Sequence, residues 1–287
     1  MKHSVKFSTL AAFHFNTIAL SALLALTASG LQPKSPSPFR APMGPLLGVH
    51  GSIDLLAARP DSQDDMPVCF VVECKRANEK IRNWLLLPNR QQRPRWPTFI
   101  FSDTPTGERE RLGVTRGITF PGLGLTKPGD FTYCINGVEV NTALTNTNKD
   151  PSEKIYNPLK QVVHGSVAFE TTYPKVVEGV DYFRDAEHSR RVFIPVILTT
   201  ANIYVANFSP ERVVQGDMQA GDLSVGAPLE WATFELALPD YLSYSVQRGE
   251  HTTAVQKLTV FIVNDKALDK FFTNAVQVQG IDTIPER

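Results

Sequence analysis

Cysteine is scarce in this chain. It occurs at three positions, Cys69, Cys74 and Cys134, an odd number that provides neither a disulfide framework nor a Cys-x-x-Cys metal pair. Cys69 and Cys74 are five residues apart on one predicted strand, so their side chains face opposite sides of it and cannot bond to each other. This cysteine usage is typical of a reducing compartment.

A net charge is also lacking. Lys and Arg together number 29, and Asp and Glu together number 29, so no overall field attracts a polyanion and any nucleic-acid site has to be local. Hydrophobic residues make up 42% and charged residues 20%, which is typical of a globular chain rather than a disordered one. A length of 287 residues is enough for one domain with a sizeable core.

Several common catalytic motifs are absent from the sequence. No Gly-x-Ser-x-Gly elbow, His-Glu-x-x-His helix or Cys/His pairing is evident. The stretch "GLGLTKPG" at residues 122–129 lacks the Gly-Lys-Ser/Thr ending of a phosphate loop. The sequence therefore argues against a serine hydrolase, a zincin and a P-loop NTPase.

Residues 1–49 are interpreted as an apolar N-terminal segment followed by a proline-rich lead-in, and residues 50–287 as one domain. From Phe7 to Gly30 the chain contains no Asp, Glu, Lys or Arg. Three interpretations are open: an export signal or membrane anchor, a buried first helix, and a mis-assigned start codon. If the apolar segment is part of the folded structure, the protein is expected to be cytoplasmic or nuclear. If it is an export signal or a membrane anchor, the protein is expected to be secreted or membrane-anchored.

Apolar and alternating runs predict most of the secondary structure. The predicted strands cover residues 52–58, 68–75, 98–101, 192–199, 203–208, 232–236 and 258–263. The pair Asn136-Gly137 predicts a hairpin turn between two short strands. Pro195 is an anomaly, since the apolar strand around it otherwise suits the centre of a sheet.

Helices are predicted from capping signals and from helical spacing. Residues 79–87 are expected to form a helical turn. Asp150 is expected to cap a short helix that has Pro151 at its first position and Glu153 in a capping box, and Pro158 is expected to interrupt it and to begin a longer helix, 158–171. The buried stripe of that longer helix is predicted to be Leu159, Val162, Val163 and Val167. Asp265 is expected to cap a last helix, 266–276.

Charged residues occur where buried strands do not favour them. Asp54 interrupts the apolar run "SIDLLAA", and Glu73 and Lys75 end the run "VCFVVECK". Because residues two apart in a strand share a face, Glu73 and Lys75 emerge together at the strand end. If the two strands pair, Asp54 lies beside them. Two carboxylates and the Cys74 carbonyl are donors that suit Mg²⁺ or Mn²⁺, and Lys75 is placed to act on a phosphate or an attacking water.

These motifs resemble the PD-(D/E)xK nuclease superfamily, which carries an Asp on one strand and Glu-x-Lys on the next. The resemblance covers about residues 51–208. It implies an α/β fold with a mixed central β-sheet flanked by helices, a restriction-endonuclease-like αβββαβ core, here with C-terminal additions. It also implies Asp54 and Glu73 as metal ligands and Lys75 as the catalytic lysine. Gln161 resembles the helix glutamine that RecB-like members add to the catalytic set.

A basic segment follows Lys75 and has two interpretations, a solvated surface or a phosphate-contacting patch. The residues predicted to contact nucleic acid are Arg76, Lys80, Arg82, Arg90, Arg93 and Arg95, with Trp84 available to stack on bases. The predicted partner is DNA, RNA is not excluded, and a homodimer is possible.

The sequence thus favours a Mg²⁺-dependent endonuclease, a hydrolase of phosphodiester bonds. Three alternatives stay open. The charges can form a solvated strand end, the fold can be an inactive nuclease that only binds nucleic acid, or the chain can be an exported or membrane-anchored binding module without enzymatic activity.

Overall fold

The structure is a computed structural model that describes part of the chain. The described residues are 32–34, 37–40, 50–58, 68–77, 82–89, 93–103, 111–140, 153–176, 191–208, 224–237, 244–248, 251–255, 257–275 and 278–280. The predictions for residues 1–31, including the export signal, anchor or first helix, therefore lie outside the described residues.

Strands are the main secondary structure of the described residues. In chain order they are β1 (Gln32–Lys34), β2 (Ser37–Arg40), β3 (His50–Ile53), β4 (Leu55–Ala58), β5 (Val68–Lys75), β6 (Asn83–Pro88), β7 (Thr98–Asp103), β8 (Arg111–Arg116), β9 (Ile118–Thr119), β10 (Tyr133–Val140), β11 (Arg191–Thr199), β12 (Asn202–Asn207), β13 (Ser224–Val225), β14 (Trp231–Ala237), β15 (Tyr244–Arg248), β16 (His251–Val255), β17 (Lys257–Asn264) and β18 (Gln279–Gly280).

Two α-helices accompany these strands in the described part of the chain. They are α1 (Glu153–Val176) and α2 (Leu268–Ala275), and short 3₁₀ turns occupy Pro121–Leu123, Pro128–Asp130 and Asp265–Ala267. Neither α-helix is long and apolar enough to cross a membrane.

A 12-stranded mixed sheet forms the centre of the fold, in the order β1-β4-β5-β11-β17-β14-β10-β6-β12-β13, with β7 and β8 attached to β11. The strands β5, β11 and β17 run parallel, and β4 runs antiparallel to β5. A mixed sheet with few helices is compatible with the predicted α/β class.

The helices α1 and α2 cover opposite faces of this sheet. Alternate residues of a strand project to opposite sides, and in β5 Cys69 and Val71 pack into the cluster that includes α1 residues, whereas Phe70 and Val72 pack into the cluster that includes α2 residues. Being covered on both faces explains why β5 is an almost unbroken apolar run.

Pro195 is tolerated in β11 because the strand changes partner there. On the side away from β5, β7 pairs with residues 191–193 and β17 pairs with residues 196–199. Pro195 lies between the two pairings, where β11 needs no N–H for a ladder hydrogen bond on that side.

The predicted helical turn at residues 79–87 is wrong, because the described part of that segment is strand β6. Antiparallel pairing with β10 and parallel pairing with β12 hold β6. Its side chains Trp84, Leu85 and Leu86 are all buried, so pairing and burial override the local helical pattern.

The predicted hairpin turn at Asn136-Gly137 is also wrong, because β10 continues through it. The register against β6 shifts between Cys134 and Asn136, a bulge at Ile135, and Asn136 and Gly137 then pair with Leu87 and Leu86. A Cβ at Gly137 would lie 2.8 Å from a methyl carbon of Leu86 and 3.1 Å from one of Ile155. Glycine at this position allows Leu86 and Ile155 to pack closely and does not form a turn.

Helix α1 is longer than predicted and continues through Pro158. Pro158 is the sixth residue of this helix, where proline gives up one hydrogen bond and its ring crowds the carbonyl four residues earlier. Leu159, Val162 and Val163 are fully buried as predicted, and this packing holds the helix together. Only the backbone of Val167 is described. The cap of the last helical segment is Asn264 rather than Asp265, since the Asn264 side chain accepts the Lys266 N–H.

Packing of the first 3₁₀ turn on α2 generates a stability prediction. A Cβ at Gly122 would lie 2.5 Å from the backbone oxygen of Asn274, whereas nothing lies within 4 Å of a Cβ at Gly129. Gly122→Ala should lower the free energy of unfolding by about 1–3 kcal/mol, the usual cost of overpacking. Urea denaturation measures it, and a Gly122→Ala protein as stable as Gly129→Ala would contradict this packing.

Candidate active site

Asp54 lies where the chain leaves the main sheet. The β4–β5 ladder runs from Ala58↔Cys69 to Leu55↔Val72 and stops there, and β3 on the other side of Asp54 pairs with β2 instead. The Asp54 carboxylate replaces the next backbone acceptor of the ladder, since Asp54 Oδ2 accepts the Cys74 N–H at 2.7 Å. The charge inside an apolar run thus marks a bend at a sheet edge.

Glu73 and Lys75 project from β5 toward the α1 face. They share this face with Val71, which packs against α1 residues, while Cys74 packs on the opposite face. Glu73 is 1% exposed, and its Oε1 lies 2.5 Å from Lys75 Nζ. The buried carboxylate is therefore paired with a lysine whose side chain is 35% exposed and reaches toward solvent.

Gln161 brings α1 to the same point. Lys75 Nζ donates to Gln161 Oε1 at 3.5 Å, a long contact. The neighbouring α1 residues Leu159 and Val162 are fully buried, so the helix backbone that carries Gln161 is held against the sheet. The structure thus brings together the four residues that the sequence predicts to be catalytic: Asp54, Glu73, Lys75 and Gln161.

Electrostatics at the site favour binding of a cation or a proton. Burial first, and then the nearby Asp54 carboxylate, raise the pKa of Glu73 to about 7, against the opposing effect of Lys75. Burial also raises the pKa of Asp54, although the Cys74 N–H and Lys75 oppose it. The two carboxyl groups lie close enough for each to influence the pKa of the other. Two carboxylates this close favour a shared proton or a shared cation.

The oxygen donors present fit a hard divalent cation. Glu73 Oε2 is buried and has no hydrogen-bond partner among the described residues. The Cys74 carbonyl points to the Asp54 edge of β5, because the N–H and C=O of one strand residue point the same way and its N–H bonds to Asp54. Asp54, Glu73 and this carbonyl would hold Mg²⁺ or Mn²⁺, ions that keep several waters and need few protein ligands.

A thiolate or imidazole metal site fits the same residues poorly. Among the described residues no group of three or more His, Cys, Asp and Glu side chains is placed to hold a metal ion. The Cys74 side chain packs on the opposite face of β5 from Glu73 and Lys75, and burial with the nearby carboxylates raises the pKa of its thiol, so its sulfur does not face the site. Oxygen donors alone are left for a metal at this position.

The basic segment after Lys75 is only partly placed as the sequence predicts. Trp84 is 1% exposed, and its indole N–H donates to Glu139 Oε1 at 3.3 Å. A ring with no exposed face cannot stack on bases, so that prediction is wrong for Trp84. Its burial follows from its position in β6, which lies inside the sheet between β10 and β12.

The arginines of this segment divide into two groups. Arg76 and Arg82 are exposed and flank the connection from β5 to β6, close in sequence to the site. Arg93 is exposed, while Arg95 forms an ion pair with Glu235 and lies 5.1 Å from the centre of the Tyr133 ring. Lys80 and Arg90 lie outside the described residues. Contacts of these side chains with nucleic acid stay a prediction.

The turn from β11 to β12 is the part of the site that the sequence did not predict. The Thr200 N–H donates to the Lys75 carbonyl at 3.2 Å, and the Ala77 N–H donates to Thr200 Oγ1 at 2.9 Å. The signal in the sequence is a pair of threonines between two β-rich runs, a weak turn pattern that names no partner.

Comparison with known proteins adds no assignment. No protein-family model, no curated protein and no solved structure matches this chain. The chemistry of the site is therefore inferred from its own residues.

Burial of Glu73 beside Asp54 generates a pH-dependent prediction. A carboxyl group whose pKa rises from 4.5 unfolded to about 7 folded stabilises the protein below pH 4.5 and loses that contribution as the pH rises through 7. Glu73→Gln should therefore be more stable than wild type above pH 7, by up to about 3 kcal/mol, and should lose that advantage near pH 4.5. Urea denaturation in chelator at the two pH values measures this.

Glu235→Gln is the matched control for Glu73→Gln. Glu235 is also buried but interacts with two cations, Arg95 and Lys257. Its substitution should destabilise the protein at neutral pH. If Glu73→Gln lowers stability at pH 8 as Glu235→Gln does, Glu73 is a structural ion-pair partner and the interpretation of the site is wrong.

Proposed function

We propose that this protein is a metal-dependent nuclease that hydrolyses phosphodiester bonds in DNA. The observation that carries the proposal is the convergence of Asp54, Glu73, Lys75 and Gln161 at one end of β5, with a buried carboxylate oxygen that no described residue satisfies. Asp54, Glu73 and the Cys74 carbonyl would hold Mg²⁺ or Mn²⁺.

Each residue then has a chemical task. The bound ion would neutralise charge on the phosphate and lower the pKa of water. The Lys75 ammonium, held between Glu73 Oε1 and Gln161 Oε1, donates a hydrogen bond to a phosphate oxygen or orients the attacking water. Glu73 keeps that ammonium at the end of β5. Asp54 lies beside it, where the β4–β5 ladder stops.

The order of elements around the site supports the resemblance to the PD-(D/E)xK superfamily. Asp54 precedes β4, the antiparallel partner β5 carries Glu73 and Lys75, and α1 then leads to β11, which is parallel to β5. This β-β-α-β succession is what the resemblance leads us to expect for the second part of an αβββαβ core. Residues 76–152 stand between β5 and α1, and on this proposal they are an insertion that extends the same sheet through β6 and β10.

The energetics of the site support a functional role over a structural ion pair. A buried glutamate with cations beside it is sufficient for a structural ion pair, as Glu235 shows with Lys257 and Arg95. A second carboxylate beside Glu73 raises the pKa of that group and destabilises the ionised protein. Such destabilised arrangements are typical of sites retained for activity.

Plasmid nicking in Mg²⁺ or Mn²⁺ tests the proposal. Wild type should convert supercoiled DNA to open-circle DNA only with the ion present. Asp54→Ala and Lys75→Ala should each lose activity by at least about 100-fold. Asp54→Asn, which keeps an oxygen for the Cys74 N–H, should lose it as well.

Lys257→Ala is the control for Lys75→Ala, because Lys257 also bonds to a buried glutamate but lies at the other end of the strands. Its activity should stay within about twofold of wild type. Equal activity in wild type, Asp54→Ala and Lys75→Ala would remove the assignment. DNA binding without cleavage would favour a nuclease fold that only binds, and faster cleavage of an RNA strand would change the substrate class.

Ion binding has a readout that does not require catalysis. If the two carboxylates hold the ion, millimolar Mg²⁺ should raise the melting temperature of wild type at pH 8, since a ligand that binds only the folded state stabilises it. Asp54→Asn and Glu73→Gln should not respond, while Glu235→Gln should respond like wild type. Equal responses in all four proteins would exclude Asp54 and Glu73 as the ligands.

A further inference from the structure

The turn that joins β11 to β12, together with the first residue of β12, bonds to both ends of the segment that follows Lys75. This turn consists of Thr200 and Ala201, between the end of β11 at Thr199 and the start of β12 at Asn202. Thr200 bonds to both Lys75 and Ala77. At the far end of the same segment, the Asn202 N–H donates to the Arg82 carbonyl at 2.6 Å.

The two Thr200 bonds extend the pairing of β5 beyond its last ladder position. The parallel register of β5 and β11 ends with Lys75 opposite Thr199. Thr200 then uses its N–H for the Lys75 carbonyl and its hydroxyl oxygen for the Ala77 N–H, so one residue fixes the backbone on both sides of Arg76. Strand ends that lack such partners fray.

The turn itself is anchored from a third strand. Thr199 Oγ1 accepts the Ala201 N–H at 3.1 Å, and the Asn264 side-chain amide donates to the Ala201 carbonyl at 2.6 Å. Asn264 ends β17, and its oxygen accepts the Lys266 N–H. The position of Thr200 is thus set by the parallel strands β11 and β17 together.

A fixed backbone is important here because the lysine side chain is long and partly exposed. The ammonium sits on a flexible four-carbon stem, and its contact with Gln161 is long at 3.5 Å. A displacement of about 1 Å can reduce a rate by about 100-fold. Gln161 and Glu73 hold the tip of the side chain, and its base needs an equally rigid support.

Resting on the proposed nuclease function, we infer that Thr200 is a positioning residue for Lys75. Its hydroxyl holds the backbone after β5 so that the ammonium meets Glu73 and Gln161 in one geometry. Thr200 acts through Lys75 and contacts no substrate itself.

The test compares Thr200→Val, Thr200→Ser and Thr259→Val in the full chain. Valine matches the shape of threonine but leaves the Ala77 N–H without its acceptor, while serine keeps that acceptor. Thr259→Val is the matched control, because buried Thr259 Oγ1 accepts the Thr98 N–H at 3.0 Å, five positions before Asn264 on β17. It removes the same kind of backbone bond away from the site, together with the contact between Thr259 and the Tyr133 hydroxyl.

Thr200→Val is expected to lower kcat for plasmid nicking by about tenfold with KM changed less than about twofold, since a positioning defect acts on the reacting geometry. Thr200→Ser should restore kcat, and Thr259→Val should retain it. In chelator, hydrogen exchange of the Ala77 amide should accelerate in Thr200→Val and stay slow in Thr200→Ser, which tests the contact without activity.

Equal losses of kcat in Thr200→Val and Thr259→Val, or no rescue by serine, would overturn the inference and leave the proposed function in place. Unchanged Ala77 exchange in Thr200→Val would overturn it as well. A wild-type protein that never cleaves would instead overturn the proposed function, and the inference with it.

Discussion

The bond between the Asp54 carboxylate and the Cys74 N–H is the contact on which the site depends. A regular β4–β5 hairpin would continue its ladder to the end of β5 and would cover that edge with backbone. The ladder ends at Asp54, and β3 pairs with β2 instead. The Asp54 carboxylate still accepts the Cys74 N–H that the ladder leaves without a backbone partner. The same bond places the Asp54 carboxylate beside Glu73, so it supplies one of the two carboxylates of the site.

The rest of the molecule makes this arrangement tolerable. Glu73 is buried next to Asp54, and Lys75, together with the Cys74 N–H that bonds to Asp54, offsets part of the cost of two adjacent carboxylates. The strands beneath, β5 and β11, are covered on both faces, with Phe70, Phe193 and Ile197 fully buried. Such a support keeps functional side chains in place despite unfavourable electrostatics. The site lies at the carboxyl ends of parallel strands, where α/β sheets usually bind ligands.

Local pattern was sufficient for the elements that carry the chemistry and insufficient for what surrounds them. β5, β11 and β17 were predictable because each is an apolar run of strand length, and Glu73 with Lys75 follow from alternation within one strand. Trp84 and Asn136-Gly137 were misread, since long-range pairing between β6 and β10 decides both. Pro158 was misread because burial of α1 offsets one lost hydrogen bond. The role of Thr200 could not be predicted from the sequence, since no local pattern shows that it bonds to residues more than a hundred positions away.

The most direct test is to locate the ion itself. Crystals soaked in Mn²⁺ and measured at a wavelength where manganese scatters anomalously should show one strong peak between the carboxylates of Asp54 and Glu73 and the Cys74 carbonyl, at oxygen distances of about 2.1–2.2 Å. The peak should vanish in Asp54→Asn crystals. A wild-type map without a peak there, or with manganese bound only elsewhere, would contradict the account.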